Sequence, residues 1–245
     1  LPHYTNVQMP FSGAPPTVPE HNPTGVYRYD VIVPATWRRQ RVLLHIGGAE
    51  SVHAVYINGA FVGYGTDSRL PSEYDITDAC MDGHNEIAIV VMRYSAHSHV
   101  EDQDNWWMAG LHRTVEVICR PRTAIADIPI RADLDDAGVG RAEITTVVAS
   151  VYAMGPGWSV RTTLIDPTGR TVGQDHQPVP HRYDRPYVFT GHHCIARFEV
   201  PDTAPWSAET PNRYRVEVEL LNPRFVRRDG RTLDADTMLL DRVGR

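Results

Sequence analysis

Alternation is the feature that most restricts this chain. Tyr27, Tyr29, Val31 and Val33 occupy every second position with Arg28 and Asp30 between them, and Tyr214, Val216, Val218 and Leu220 alternate with Arg215, Glu217 and Glu219. A period of two lines one face of an extended strand, whereas a helix needs a repeat of about 3.6 residues. No stretch of about ten residues or more carries that helical repeat. Val52–Ile57 and Ala60–Tyr64 flank Asn58-Gly59, a dipeptide that accepts positive φ at both centres of a type I′ turn, so a tight hairpin is expected. Glu86–Tyr94 is almost continuously apolar, as expected of a strand buried on both faces, and Thr114–Cys119 adds another. Strands at this spacing, broken by Gly, Pro and Asn, predict an all-β sandwich rather than a parallel α/β sheet.

A chain of 245 residues has room for one or two domains, each with its own core. A seam is expected at Arg120-Pro121-Arg122-Thr123, where proline removes a ladder donor and favours an extended linker. The domains are therefore expected at 1–120 and 121–245. Beyond the seam, Ala142–Tyr152, Ser159–Ile165, Cys194–Val200 and Thr237–Val243 read as strands, and Asp166-Pro167-Thr168-Gly169 has turn chemistry. That strand count fits an immunoglobulin-like sandwich. The halves share a class but no sequence repeat.

Composition excludes several partners. With a net charge of −6 and a pI of about 6.0, the chain has no electrostatic footprint for nucleic acid or an anionic membrane. Its longest uncharged apolar run, Ile87–Met92, is far short of the roughly 20 residues that span a bilayer. All 24 basic residues are arginine, which reads as genomic base composition. Cys80, Cys119 and Cys194 are odd in number, scattered and without CxxC spacing, so reduced thiols in a cytoplasmic protein are expected. No signal peptide opens the chain, and Leu1-Pro2 suggests a piece of something longer.

The densest polar cluster runs from His97 to Trp107, with His99, Glu101, Asp102, Asp104 and Asn105 inside it. Paired carboxylates could cleave a glycosidic bond, but they must stand about 5–9.5 Å apart across it, which neighbours on one loop rarely do. On an extended segment His97, His99 and Glu101 would share a face suited to a divalent metal, though no fourth ligand has recognisable spacing. A solvated loop with capping carboxylates is the plainer alternative. Tryptophan beside carboxylates and amides also suits a sugar, whose apolar face stacks on the ring while oxygens bind its hydroxyls. Trp106 or Trp107 could equally belong to a core. Nucleophile-elbow, P-loop, zincin and dinucleotide motifs are absent.

The same cluster carries a resemblance. Asp67-Ser-Arg-Leu-Pro-Ser-Glu73, Glu101-Asp-Gln-Asp-Asn-Trp106 and Met108-Ala-Gly110 resemble the amino-terminal region of large bacterial β-galactosidases of glycoside hydrolase family 2. So do Tyr4-Thr-Asn6-Val7, Asn22-Pro-Thr-Gly25, Asn58-Gly59 with Val62-Gly-Tyr-Gly65, and Trp206-Ser-Ala-Glu209 with Pro211-Asn212, in family order across the chain. The resemblance implies a jelly-roll sugar-binding domain, then an immunoglobulin-like sandwich, then a TIM barrel with the two catalytic carboxylates. It stops at Asp241-Arg-Val-Gly-Arg245, so both catalytic glutamates are expected outside this chain. Asn6 matches an asparagine that hydrogen-bonds the galactosyl group. Asp104 matches an aspartate that contacts the same sugar and ligates a sodium ion, whose other protein ligands come from the barrel. A hard cation prefers such oxygen ligands. Magnesium is expected in the barrel alone.

Trp107 stands where the best-known relatives have arginine. Ala96 and Thr66 replace side chains that help hold a structural magnesium in some relatives, so that second site is not expected here. The amino-terminal extension that supports tetramer contacts in those relatives is absent, which leaves a homo-oligomer open. The resemblance thus implies part of a retaining enzyme acting on terminal β-galactosides. Its rivals are another family 2 specificity, β-glucuronidase or β-mannosidase, and an independent carbohydrate-binding module. The carboxylates of Glu101-Asp-Gln-Asp104 favour galactose, because a negative charge near the sugar's C6 repels a uronic acid.

Overall fold

The computed structural model describes residues 3–4, 9–101, 104–180, 191–226 and 232–234. The chain separates into two compact units, Leu1–Pro121 and Arg122–Arg245. Both are all-β, the first a jelly-roll sandwich and the second an immunoglobulin-like sandwich. No helix among the described residues is long and apolar enough to cross a membrane.

In the first unit a four-stranded antiparallel sheet runs in the order Thr24–Val33, Gly83–Met92, Val52–Ile57, Ala60–Gly65. A three-stranded sheet runs Val115–Arg120, Arg41–Ile46, Ser72–Asp75. Val55, Ile57, Ile87, Ile89 and Val91 from the first sheet pack with Val42, Leu44 and Ile46 from the second in one core. Each such side chain contributes about 1.5–3 kcal/mol on leaving water. Asn58 (φ 52°) and Gly59 (φ 80°) make the expected hairpin turn. The Asn58 amide then donates to Asn85 Oδ1 at 2.9 Å, tying the turn to the neighbouring strand.

One expectation for this sheet needs correction. The Gly83–Met92 strand buries Asn85, Ile87, Ile89 and Val91, but Ala88 and Val90 on its other face are only half-buried. Its apolar run reflects an apolar outer face, where Val26, Val90, Ala54 and Tyr64 stand in register across four strands. Thr24–Val33 is an edge strand, so its alternation overstates its burial. Val33 reaches the core with Val31 packed beside it, whereas Tyr29 is 75% exposed.

Inside the core His53 is 1% exposed, with Nε2 2.7 Å from the Tyr74 hydroxyl. Burial pushes its pKa below the ordinary histidine value, because a charged ring is poorly solvated there.

The second unit centres on Gly140–Ser150. That strand pairs with His192–Val200 on one side and, in succession, with Ile130–Leu134 and Thr123–Asp127 on the other. The facing sheet runs Thr171–Pro178, Ser159–Ile165, Arg215–Leu221. Val148, Trp158, Val160 and Cys194 form one core cluster, and Ile144, Leu164, Ala196 and Phe198 another. Gln174–Pro178, though polar, is strand paired with Ser159–Thr163. The Asp166 turn forms as expected: its carboxylate accepts from the Thr168 hydroxyl and from the amides of Arg170 and Thr168, which lowers its pKa to about 2. The strand expected at Thr237–Val243 lies outside the described residues. Cys80, Cys119 and Cys194 are free thiols.

Candidate functional site

The polar cluster begins in a short 3-10 helix, Ala96–His99, rather than an extended segment. Ser95 caps it: its hydroxyl accepts from His97 N at 3.2 Å, while Ser95 N donates to Ser98 Oγ at 3.0 Å. A helical turn does not align residues two apart, so His97 and His99 lose the common face that a metal would need. His99 Nε2 instead meets Thr17 O at 2.9 Å, and its ring lies edge-on to Phe11. Among the described residues no three His, Cys, Asp or Glu converge on a metal position. The metal reading of His97, His99 and Glu101 therefore fails.

Beyond the helix the chain is tied at both ends of the acidic loop. Glu101 accepts from Ser68 N at 2.9 Å and from the Ser68 hydroxyl at 2.5 Å. Arg69 then donates to Asn105 Oδ1 at 2.9 Å and to Trp106 O at 3.0 Å. Glu50 completes the framework, with Oε2 accepting from Met108 N at 2.9 Å and lying 3.2 Å from Arg69 Nη1. The Asp67–Leu70 turn that supplies these partners is itself fixed, because Asp67 Oδ1 accepts from Arg69 N and Leu70 N. Those two amides hold the Asp67 carboxyl below its ordinary value. Burial pushes the Glu50 carboxyl up, and the Met108 amide and Arg69 offset this only in part.

Asp104 is exposed on the span between these ties, and Trp106 beside it is 53% exposed. Trp107 turns inward at 4% exposure, against Tyr94. The pair thus divides: the Trp106 indole is largely exposed and the Trp107 indole belongs to the core. An exposed carboxylate with an exposed indole two residues on offers charge, acceptors and an apolar platform, the set a polyhydroxylated ring can use. Asn6 lies outside the described residues. Its described neighbours His3 and Tyr4 pair antiparallel with Trp107 and Trp106. For sodium, the donor type at Asp104 is right, a carboxylate oxygen, but a hard cation takes about six oxygens or more and one residue cannot complete the shell.

Two members of this framework escaped the sequence reading as functional residues. Arg69 sits in Asp67-Ser-Arg-Leu-Pro-Ser-Glu73, where nothing local marks it. Glu50 stands alone among Gly47, Gly48, Ala49 and Ser51. An acid isolated among small residues is the one signal that could have flagged it, since such neighbours accompany burial.

Fold and site together define a tandem of β-sandwich modules, the first presenting a braced acidic and aromatic loop. Residues 1–121 match the sugar binding domain of glycosyl hydrolases family 2, and residues 123–228 match a second domain of glycosyl hydrolases family 2. The chain belongs to that family. It is 34% identical to a β-galactosidase of Psychromonas ingrahamii over 239 residues, covering 96% of this chain and 22% of the relative. It is 37% identical to a β-galactosidase of Klebsiella pneumoniae over 225 residues, covering 89% of this chain and 21% of the relative. The chain thus spans about a fifth of the length of the curated relatives it matches. Among solved structures, a Bacteroides uniformis β-glucuronidase superposes with a TM-score of 0.69 at 20% identity, covering 87% of this chain and 25% of that one. At that identity the likeness concerns the fold.

Proposed function

We propose that this chain is the sugar-facing, non-catalytic part of a retaining β-galactosidase that hydrolyses terminal β-D-galactosides, with both catalytic glutamates in a barrel outside it. The observation that carries this reading is the braced loop that presents Asp104 and Trp106 to solvent. Positions 3 and 4 pair with 107 and 106, so the amino-terminal strand lies beside this loop. Asn6 would donate to and accept from galactosyl hydroxyls. Asp104 would accept from the same sugar and supply one ligand to sodium, whose remaining shell belongs to the barrel. Sodium there would neutralise the carboxylate and orient a sugar hydroxyl. Magnesium is assigned to the barrel, and no residue of this chain is given to it. A cytoplasmic enzyme with no nucleic-acid or membrane partner completes the reading.

Fold likeness to β-glucuronidases does not favour a uronic acid, since an exposed Asp104 would repel the sugar's own carboxylate. The test pairs the sequence beyond Arg245 with activity. A barrel bearing two inward glutamates and turnover of aryl β-galactosides over aryl β-glucuronides are expected from the full-length gene product. This chain alone should hydrolyse neither. Preference for the glucuronide, or a following sequence without a barrel, would overturn the proposal.

A further inference from the structure

We propose that Arg69 is the positioning residue for Asp104 and Trp106, acting through a fork anchored on buried Glu50. The inference rests on the reading of Asp104 as a sugar ligand. One guanidinium spans three acceptors: Glu50 Oε2 at 3.2 Å from Nη1, and Asn105 Oδ1 at 2.9 Å and Trp106 O at 3.0 Å from Nη2. Asn105 follows Asp104 directly, so this grip sets where the carboxylate emerges. The Trp106 carbonyl fixes the peptide plane from which the exposed indole leaves. Arg69 projects from a fixed base, because its N donates to Asp67 Oδ1 at 2.7 Å and its O accepts from Arg113 Nη1 at 2.6 Å. Glu101 holds the other end of the span through Ser68.

The anchor is costly in stability. The Glu50 side chain is 3% exposed, and Glu101 nearby adds like-charge repulsion. An apolar residue of similar volume at position 50 would serve stability as well or better, whereas a buried carboxylate paired with the half-buried Arg69 gives fixed geometry. That geometry is directed at the loop: Glu50 also accepts from Met108 N, beyond Trp106, so carboxylate and guanidinium grip the chain at successive points. Lysine could not replace this, since an ammonium on a flexible stem is a point charge without the planar fork.

The test has two arms. The first needs no activity and uses the 245-residue chain. In Arg69→Lys, amide hydrogen exchange at Met108 should quicken at least about tenfold, while amides of the central Gly83–Met92 strand keep wild-type rates. The second measures kcat/KM on an aryl β-galactoside in the full-length enzyme for Arg69→Lys, Asp104→Asn and the double variant. Each single change should lower it by about ten- to a hundredfold, and the double should fall no more than about threefold below Asp104→Asn. Unchanged Met108 exchange overturns the proposal, as do independent, multiplying losses in the double variant. If Arg69→Lys does not fold, Asn105→Ala removes one acceptor and leaves the Arg69–Glu50 pair. The same non-additivity with Asp104→Asn is then required, and its absence is equally fatal. Wild-type kinetics in Asp104→Asn would instead remove the sugar-ligand reading, and the exchange arm alone would decide whether Arg69 sets the loop.

Discussion

Glu101 satisfies both polar groups of Ser68 at once, Oε1 taking the backbone N–H at 2.9 Å and Oε2 the hydroxyl at 2.5 Å. Ser68 is fully buried, so neither group has water to fall back on. A contact between residues far apart in sequence thus closes the turn at Asp67–Leu70 onto the loop that carries Asp104.

Glu101→Ala should lower the stability of the first unit by about 1–3 kcal/mol, the cost of leaving a buried donor unpaired. Glu101→Gln keeps one acceptor and should lose less. Urea unfolding followed by tryptophan fluorescence measures both, and an unchanged midpoint in the alanine variant would show that Ser68 finds another partner.

The first unit should also weaken in mild acid through His53. Burial sets its folded pKa below the unfolded value of about 6.5, so its stabilising contribution is present above that pH and is lost as pH falls through the folded pKa. His53→Gln keeps a hydrogen-bonding group for the Tyr74 hydroxyl but cannot titrate. Its unfolding free energy should depend less on pH between about 7 and 5 than that of the wild type. Parallel pH profiles would rule His53 out as the source.

Gly110→Ala should destabilise the first unit more than Gly59→Ala does. Gly110 has φ +72°, and an added Cβ would overlap the Tyr27 hydroxyl. The left-handed backbone alone costs roughly 1–3 kcal/mol for a non-glycine residue, and the overlap adds to it. Gly59→Ala, where a Cβ meets nothing within 4 Å, isolates the backbone part. Equal losses in thermal melts of the two variants would discount the steric part.

The sugar site should behave as half a site. A net hydrogen bond contributes about 0.5–1.5 kcal/mol, or roughly 1.5–3 when charged, which leaves galactose affinity for this chain in the millimolar range or undetectable. In the full-length enzyme Asn6→Ala or Asp104→Ala should lower kcat/KM by roughly ten- to a thousandfold, or about 1.4–4 kcal/mol. Calorimetry and steady-state kinetics test the two statements separately. Micromolar galactose binding by this chain would favour an independent binding module.

Much of the fold was legible because strand period and turn chemistry are local. The Asn58-Gly59 hairpin and the Asp166 turn follow from residues that need no distant partner. Edge position is not local, so the alternation at Tyr27 and Tyr29 could not reveal that, among the described residues, Thr24–Val33 has a single neighbour. The helix at Ala96–His99 is too short for periodicity to register, and Ser95 with Ser98 was its only mark. Composition located the acidic loop, but its braces come from Glu50 and Asp67–Leu70, segments that no window around Asp104 contains.

The braces at Glu50, Ser68, Arg69, Glu101 and Met108 bear on inheritance as well as shape. A recombination crossover falling between Glu50 and Met108 would part a carboxylate from its guanidinium, or a loop from its turn, unless both parents already shared the partners. That stretch is therefore expected to pass between homologues as a block, while exchanges at Pro121–Arg122, between the two compact units, leave every one of those contacts within a single parent.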